Sequence, residues 1–164
     1  MNVIYGIGRS ARPEAGKTVD EIKIVEEIMS LFRIQELTDR RPHQLSGGER
    51  QRVSVARAVV SAITCQGTGP GAGQGAGSAL LLLDEPFSGL DHTMRDQLVN
   101  GLREYLMRSK TPVLSVTHDV GEAFQLGAEV LRIAEGKIVQ QGPVVDVLGE
   151  ERRRLMSQLR VGPS

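Results

Sequence analysis

The strongest constraint on the fold of this 164-residue chain is the apolar run Ala79–Leu83, which is followed directly by Asp84, Glu85 and Pro86. A short, continuous apolar run that ends at a proline is typical of a buried strand, and the lack of alternation indicates a sheet covered on both faces. Parallel strands of that kind are joined by helices. We therefore expect an α/β fold in which this strand ends in two adjacent carboxylates.

Helical and strand patterns alternate along the rest of the chain. Apolar residues recur at helical spacing in three segments: Ile22–Phe32, Val53–Ile63 and Met94–Leu106. Apolar strand patterns VLSVTH, EVLRIA and IVQQG follow Pro112, and helical segments follow Pro143. This order predicts an α/β architecture, with a helical part followed by a mostly parallel sheet and flanking helices.

Two helix starts carry the S/T-x-x-E pattern of a capping box. Thr18 and Glu21 form the first pair, and Ser46 and Glu49 form the second. In the second pair the cap lies in the sequence LSGGE, where glycines let a ligand approach the backbone closely. The exposed amides and the dipole of a helix N-terminus favour an anion there. Helix capping alone explains Ser46 and Glu49, and capping and anion binding are compatible.

Composition excludes several classes of function. The formal net charge is zero, so no basic field is available to hold a nucleic acid or an anionic membrane surface. The single cysteine, Cys65, allows no intrachain disulfide. The first residues lack a signal-peptide pattern, and the longest apolar run is too short to cross a bilayer. We expect a cytoplasmic chain without membrane insertion.

Polar side chains follow two of the expected strands. Asp84 and Glu85 follow the first, and His118 ends the next buried strand, so all three are expected at the sheet edge where α/β folds bind ligands. Two adjacent carboxylates at the end of a buried strand need a partner, and a divalent metal bound to phosphate is one. The second carboxylate could orient or deprotonate a water. The alternative is a strand that simply ends in a polar turn.

The combination of four motifs resembles the nucleotide-binding domain of ABC transporters. LSGGERQRVSVARAV is similar to the signature motif, LLLLDEP to Walker B with its following glutamate, SGLD to the D-loop and SVTHD to the H-switch, in the family's order. The resemblance extends from about Asn2 to Leu148. It is strongest with the import type, in particular the molybdate-type ATPases. It implies that the fold is the C-terminal part of a P-loop NTPase domain.

The resemblance also implies residue roles. Asp84 would help hold Mg²⁺, Glu85 would polarise the attacking water, and His118 would contact the γ-phosphate of ATP. Asp91 would couple two sites across a dimer of ATPase subunits. The signature residues would contact the ATP of the opposite subunit: Ser46, Gly47, Gly48 and Glu49. The implied partners are a second ATPase subunit, identical or different, and a transmembrane permease that holds the ATPase at the inner face of the cell membrane.

The segment ARPEAGKT, Ala11–Thr18, is similar to a phosphate-binding loop with one departure from the pattern. The loop pattern is G-x-x-x-x-G-K-[ST], and Ala11 stands where its first glycine belongs. The helix that Thr18 caps fills most of the chain between Lys17 and Leu45, which leaves no room for the strands and Q-loop that the family places there. We therefore interpret the match as accidental and expect the true loop to precede Met1.

The expected organisation is a single partial ATPase domain in four parts. Residues 1–63 form the helical subdomain with the signature, 64–78 a flexible glycine-rich insertion, 79–148 the Walker B to H-switch portion, and 149–164 a helical tail. The expected function is ATP binding and hydrolysis for an import system, of molybdate or another small anion. The alternative is a non-hydrolysing subunit that lends its signature and D-loop to a partner. We expect the isolated chain to be inactive and poorly soluble.

Overall fold

The computed structural model describes residues 19–64, 80–127 and 129–160. The chain separates into two compact units, residues 1–116 and 117–164. The first predicted extended segment, the Thr18 cap, Lys17 and the glycine-rich tract lie outside the described residues.

In residues 19–64 and 80–116, the first unit alternates helices with two strands. Its elements are α1 (Val19–Leu31), α2 (Gly47–Thr64), β1 (Leu81–Asp84), α3 (His92–Ser109) and β2 (Val113–Val116), with two 3₁₀ turns (Gln35–Leu37 and Pro42–Gln44) between α1 and α2. The apolar faces of the three helices form its core, together with Phe87. Fully buried side chains include those of Ile28, Phe32, Val59, Phe87, Leu98 and Leu102.

The end of α1 is fastened to α2 by one arginine. The Arg52 guanidinium donates hydrogen bonds to the carbonyl oxygens of Phe32 and Arg33, at 2.9 and 2.8 Å. Carbonyls at a helix C-terminus lack partners within the helix, and a cation there also opposes the helix dipole. Arg52 therefore fixes where the chain leaves α1 relative to the helix that follows.

The strands β1 and β2 pair in parallel, in the register Leu81 with Val113 to Asp84 with Val116. The prediction that the apolar run is covered on both faces is wrong for this structure. Leu81 and Leu83 are buried, but Leu82 is 63% exposed and its partner Leu114 is 50% exposed. In the part of the chain that the structure describes, the helices of this unit bury only one face, so alternate residues of the run face outward.

The described residues of the second unit form a hairpin and three helices. Its elements are α4 (Val120–Leu126), β3 (Glu129–Ala134), β4 (Lys137–Pro143), α5 (Val144–Val147) and α6 (Gly149–Arg160). β3 and β4 are antiparallel, with a bulge between Arg132 and Ile133. Glu135 and Gly136 of the connecting turn both have positive φ, as a type I′ hairpin turn requires. Arg132 reaches α6 through an ion pair with Glu151 at 2.8 Å.

Candidate functional site

The Ser-Gly-Gly segment, Ser46–Gly48, enters α2 through a complete capping box. The Glu49 amide donates to Ser46 Oγ at 3.2 Å, and the Ser46 amide donates to Glu49 Oε2 at 2.7 Å. These bonds confirm the predicted cap at this helix. The bonds from Ser46, first from its amide and then from its hydroxyl, lower the pKa of Glu49, and the nearby Arg40 acts in the same direction. The pKa shift favours the ionised carboxylate in the cap.

The two glycines of the segment have different surroundings. A Cβ at Gly47 would meet no heavy atom within 4 Å, so the backbone there is open to an approaching group. A Cβ at Gly48 would lie 3.3 Å from Leu90 Cδ2 and 3.9 Å from the Gly89 oxygen. Gly47 therefore presents accessible backbone at a helix N-terminus, and Gly48 allows α2 to pack closely on the turn that follows β1.

That turn, residues 84–91, is called here the acidic turn. Asp84 is exposed at the C-terminal end of β1. Glu85 has a left-handed backbone, with φ of 46°, and its amide donates to the Val116 oxygen of β2 at 2.8 Å. A residue with a Cβ is uncommon in this conformation and persists where surrounding contacts fix it. The hydrogen bonds of the Glu85 peptide therefore help to fix the backbone conformation from which the Glu85 side chain extends.

Three hydrogen bonds converge on the Glu85 carbonyl oxygen. Gln51 Nε2 and Ser88 Oγ each donate from 3.0 Å, and the Ser88 amide donates from 3.2 Å. Gln51 belongs to α2, where its spacing from the glycines places it on the same side of the helix. The acidic turn is thus held both by its own serine and by the helix that carries the Ser-Gly-Gly segment.

Asp91 ends the acidic turn as the N-cap of α3. Its Oδ1 accepts the Met94 amide at 2.9 Å, so the predicted helix start at Asp91 is confirmed. Gly89 has a φ of 75°, a left-handed value that glycine adopts freely. This glycine lets the chain turn back between Ser88 and Asp91.

Seven of the eight sequence-predicted site residues belong to the first unit, and His118 belongs to the second. His118 is exposed and follows β2 by two residues. Its neighbours Thr117 and Asp119 start α4. The Asp119 carboxylate accepts the Glu122 amide at 3.0 Å, and the Thr117 hydroxyl donates to Glu122 Oε2 at 3.0 Å. The predicted role of His118 stays a prediction.

Gln51 and Ser88 lie in the signature and D-loop motifs, which assign neither of them a role of its own. Both donate hydrogen bonds to the Glu85 carbonyl oxygen. Of the two, Gln51 has a position in the sequence that indicates where it lies. Gln51 lies four residues after Gly47 and three after Gly48, a spacing that puts it beside the Ser-Gly-Gly segment on α2. Its partner in the acidic turn is 34 residues away in sequence, so only the tertiary structure identifies the contact.

The carboxylates of the acidic turn suit a metal that is shared with a ligand. Within residues 19–64, 80–127 and 129–160, no group of three His, Cys, Asp or Glu residues could hold a metal ion. Mg²⁺ is commonly held by one or two carboxylates together with substrate phosphates and waters, rather than by a protein cage. The exposed Asp84 carboxylate at the strand end fits that arrangement.

Among the helices described, none is both long and apolar enough to cross a membrane.

Sequence comparisons relate the chain to ATP-binding proteins. Residues 8–65 match the ABC transporter family. The chain is 38% identical over 139 residues to the Fe(3+) ions import ATP-binding protein FbpC of Haemophilus influenzae, covering 85% of this chain and 34% of that protein. It is 34% identical over 122 residues to the molybdenum import ATP-binding protein ModC of Brucella abortus, covering 74% of this chain and 30% of that protein.

A third relative is the probable sulfate/thiosulfate import ATP-binding protein CysA of Chlorella vulgaris. It is 38% identical over 120 residues, which cover 73% of this chain and 44% of that protein. The chain therefore spans less than half of the length of the curated relatives it matches.

Among solved structures, the fold is similar to an ATP-binding cassette in a dimeric, post-hydrolysis state bound to ADP and Pi. The TM-score is 0.63 at 19% identity, and the likeness covers 88% of this chain and 57% of that one. This likeness confirms the predicted α/β fold.

Proposed function

The chain belongs to the ABC transporter family, and from this premise we propose that it serves ATP binding and hydrolysis in an import system. The observation that carries the proposal is the fixed contact between the Ser-Gly-Gly segment and the acidic turn. A glycine-rich helix N-terminus suited to an anion and a pair of carboxylates suited to a metal occur in one packed unit. Phosphoryl transfer needs both kinds of group, because its catalysis consists of positioning and charge stabilisation.

Each site residue has a role in this proposal. The Ser-Gly-Gly segment contacts the γ-phosphate of an ATP held by the opposite subunit, next to Glu49. Asp84 helps hold Mg²⁺, which would neutralise developing charge on the phosphates, and Glu85 polarises the attacking water. Asp91 couples the two nucleotide sites across the dimer, and His118 contacts the γ-phosphate. The support for these roles is the resemblance of the motifs together with the exposure of Asp84 and Gly47.

The proposal has two versions, which differ in whether this chain belongs to a subunit with its own phosphate-binding loop. The 164 residues contain no intact G-x-x-x-x-G-K-[ST] sequence. In the first version the chain is part of a hydrolysing subunit whose phosphate-binding loop lies elsewhere. In the second the chain hydrolyses nothing and lends its Ser-Gly-Gly segment and Asp91 to a partner ATPase.

The proposed partners are a second ATPase subunit, identical or different, and a transmembrane permease. The permease would hold the chain on the cytoplasmic face of the cell membrane. The proposed cargo is molybdate or another small inorganic anion. The name of the CysA relative, which gives sulfate and thiosulfate, supports an anion, and the name of the ModC relative supports molybdenum as the element carried. The name of the FbpC relative would instead favour ferric iron.

The test is ATP hydrolysis by the purified chain, alone and mixed with a complete homologous ATPase subunit. We expect no turnover by the chain alone. In the mixture, Ser46→Ala should lower turnover in both versions, because it alters the contact with the partner's ATP. In a chimera that joins this chain to the phosphate-binding loop of the homologous subunit, Glu85→Gln should lower turnover in the first version and should change nothing in the second.

One result would contradict both versions of the proposal, and another would contradict its ATPase function. One is turnover by the chain alone that Glu85→Gln abolishes, because it would assign a complete site to these residues and redirect attention to Lys17. The other is a mixture in which the chain leaves the turnover of the complete subunit unchanged. Cargo is tested separately, by uptake of molybdate against ferric iron in cells that lack their own importer.

A further inference from the structure

Gln51 joins two parts of the proposed site that are distant in sequence. We propose that Gln51 is a positioning residue that transmits nucleotide contact at the Ser-Gly-Gly segment to Glu85 of the same chain. This inference rests on the proposed function, in which the segment meets a nucleotide and Glu85 polarises water. It adds a route within one chain between those two events.

The route begins one helical turn inside α2. Gln51 is partly buried, and its amide nitrogen lies 3.0 Å from the Glu85 carbonyl oxygen. Residues three and four apart on a helix are neighbours on its surface, so Gln51 lies beside both glycines of the segment. A shift of the first turn of α2 therefore moves the donor of this hydrogen bond.

The acceptor end of the bond is a backbone that needs external support. Glu85 holds a left-handed φ of 46°, which a non-glycine residue keeps only where its surroundings determine it. Its amide is fixed to β2 through the Val116 oxygen, and its carbonyl is fixed by Ser88 and Gln51. Ser88 is part of the same turn, whereas Gln51 comes from α2. Gln51 therefore ties the orientation of this peptide to the helix.

A second contact makes the first turn of α2 and the acidic turn move together. The close approach of Gly48 to Leu90 leaves little space between them. Residue 91 then caps α3, so the turn is anchored at its far end as well. Because both ends of the acidic turn are anchored, the turn cannot follow a displacement of α2 as a whole. The displacement therefore changes the orientation of the Glu85 peptide, which lies between those ends.

The experiment follows backbone NMR signals of the isotope-labelled 164-residue chain, mixed with an unlabelled complete homologous ATPase subunit that holds the nucleotide, with Mg-ATP as the probe. Without nucleotide, Gln51→Met should move the Cα and Cβ shifts of Glu85 away from left-handed values. Gln51→Lys, which keeps a nitrogen donor on a long side chain, should retain them. On titration, wild-type amides of Ser46, Gly47 and Glu85 should shift with one midpoint, and in Gln51→Met the Glu85 response should disappear.

Two controls separate this effect from general destabilisation. Gln35→Met makes the same substitution at an exposed position of a 3₁₀ turn and should change neither readout. Gln51→Glu replaces the donor with an acceptor of nearly equal size. It should reproduce the loss of the Glu85 response, and it serves as the test variant if Gln51→Met does not fold.

The outcomes distinguish this inference from the proposed function. If the Ser46 and Gly47 amides do not respond in the wild type, the proposed nucleotide contact is wrong. If they respond and Glu85 responds equally in Gln51→Met and Gln51→Glu, nucleotide contact stands and the role of Gln51 is overturned. Unchanged Glu85 carbon shifts in both variants without nucleotide would overturn the positioning role on their own.

Discussion

Alanine substitution at the two adjacent glycines of α2 should have different consequences for stability. Alanine stabilises a helix relative to glycine by about 0.5–1 kcal/mol, because glycine loses more backbone freedom on folding. At Gly47 the added methyl group meets no atom within 4 Å. We therefore expect Gly47→Ala to raise the free energy of unfolding by up to about 0.5–1 kcal/mol.

At Gly48 the same gain is opposed by a contact. The new Cβ would lie 3.3 Å from Leu90 Cδ2, so the leucine side chain must move by a few tenths of an ångström. A side chain forced off its preferred rotamer costs about 0.5–1.5 kcal/mol. The two terms nearly cancel, and Gly48→Ala should be close to wild type or slightly less stable. The two variants should therefore differ by about 1 kcal/mol.

Urea unfolding followed by far-ultraviolet circular dichroism measures this difference, with amide hydrogen exchange in α2 as a local readout. Ser54→Ala, at an exposed position in the middle of α2, is the control for helix propensity without a tertiary contact. A Gly48→Ala variant at least as stable as Gly47→Ala would refute the reasoning, because it would mean that α2 does not pack on the acidic turn at this point.

Three further expectations follow from other contacts in the first unit. Asp91→Ala should lower the melting temperature through the loss of a helix cap, at a cost of about 0.5–2 kcal/mol, whereas Asp91→Asn should keep most of the cap. Arg52→Met should cost about 1.5–3 kcal/mol in urea unfolding, because two carbonyls at the end of α1 lose a charged donor. The pKa of Glu49 is lowered in the folded chain, so its contribution to stability is present above the ordinary value of 4.5 and is lost as the pH falls through the lower folded value. Glu49→Gln should therefore flatten the acid limb of a stability–pH curve, and an unchanged limb would contradict the cap geometry.

The exposed face of the β1–β2 pair gives a last expectation. Leu82→Gln should change the free energy of unfolding by less than about 0.5 kcal/mol, because this side chain is mostly exposed. Leu83→Ala should lower the free energy of unfolding by about 2–5 kcal/mol, because it leaves a cavity where the buried side chain of the next residue in the strand was packed. Leu82→Gln should also reduce self-association in light scattering, and equal effects of the two substitutions on stability would contradict one-sided burial.

Local features of the fold could be predicted from the sequence. The caps at Ser46 and Asp91 depend on residues three positions apart, and the parallel strands are visible as apolar runs. The burial of the strands could not be predicted in full. A continuous apolar run indicates two covered faces, but cover depends on which elements pack nearby, and Leu82 has none among the described residues. The contact of Gln51 with Glu85 could not be predicted from the sequence either, because it joins two segments that only the folded chain brings together.

The left-handed backbone at Glu85 has a consequence for protein engineering. A residue with a Cβ in this conformation is less favourable than glycine by about 1–2 kcal/mol. Selection for thermal stability alone would therefore favour glycine at this position, and the winning variants would lack the carboxylate proposed to polarise water. Heat resistance and turnover should thus be selected together, because at this position an improvement in the first removes the group on which the second depends.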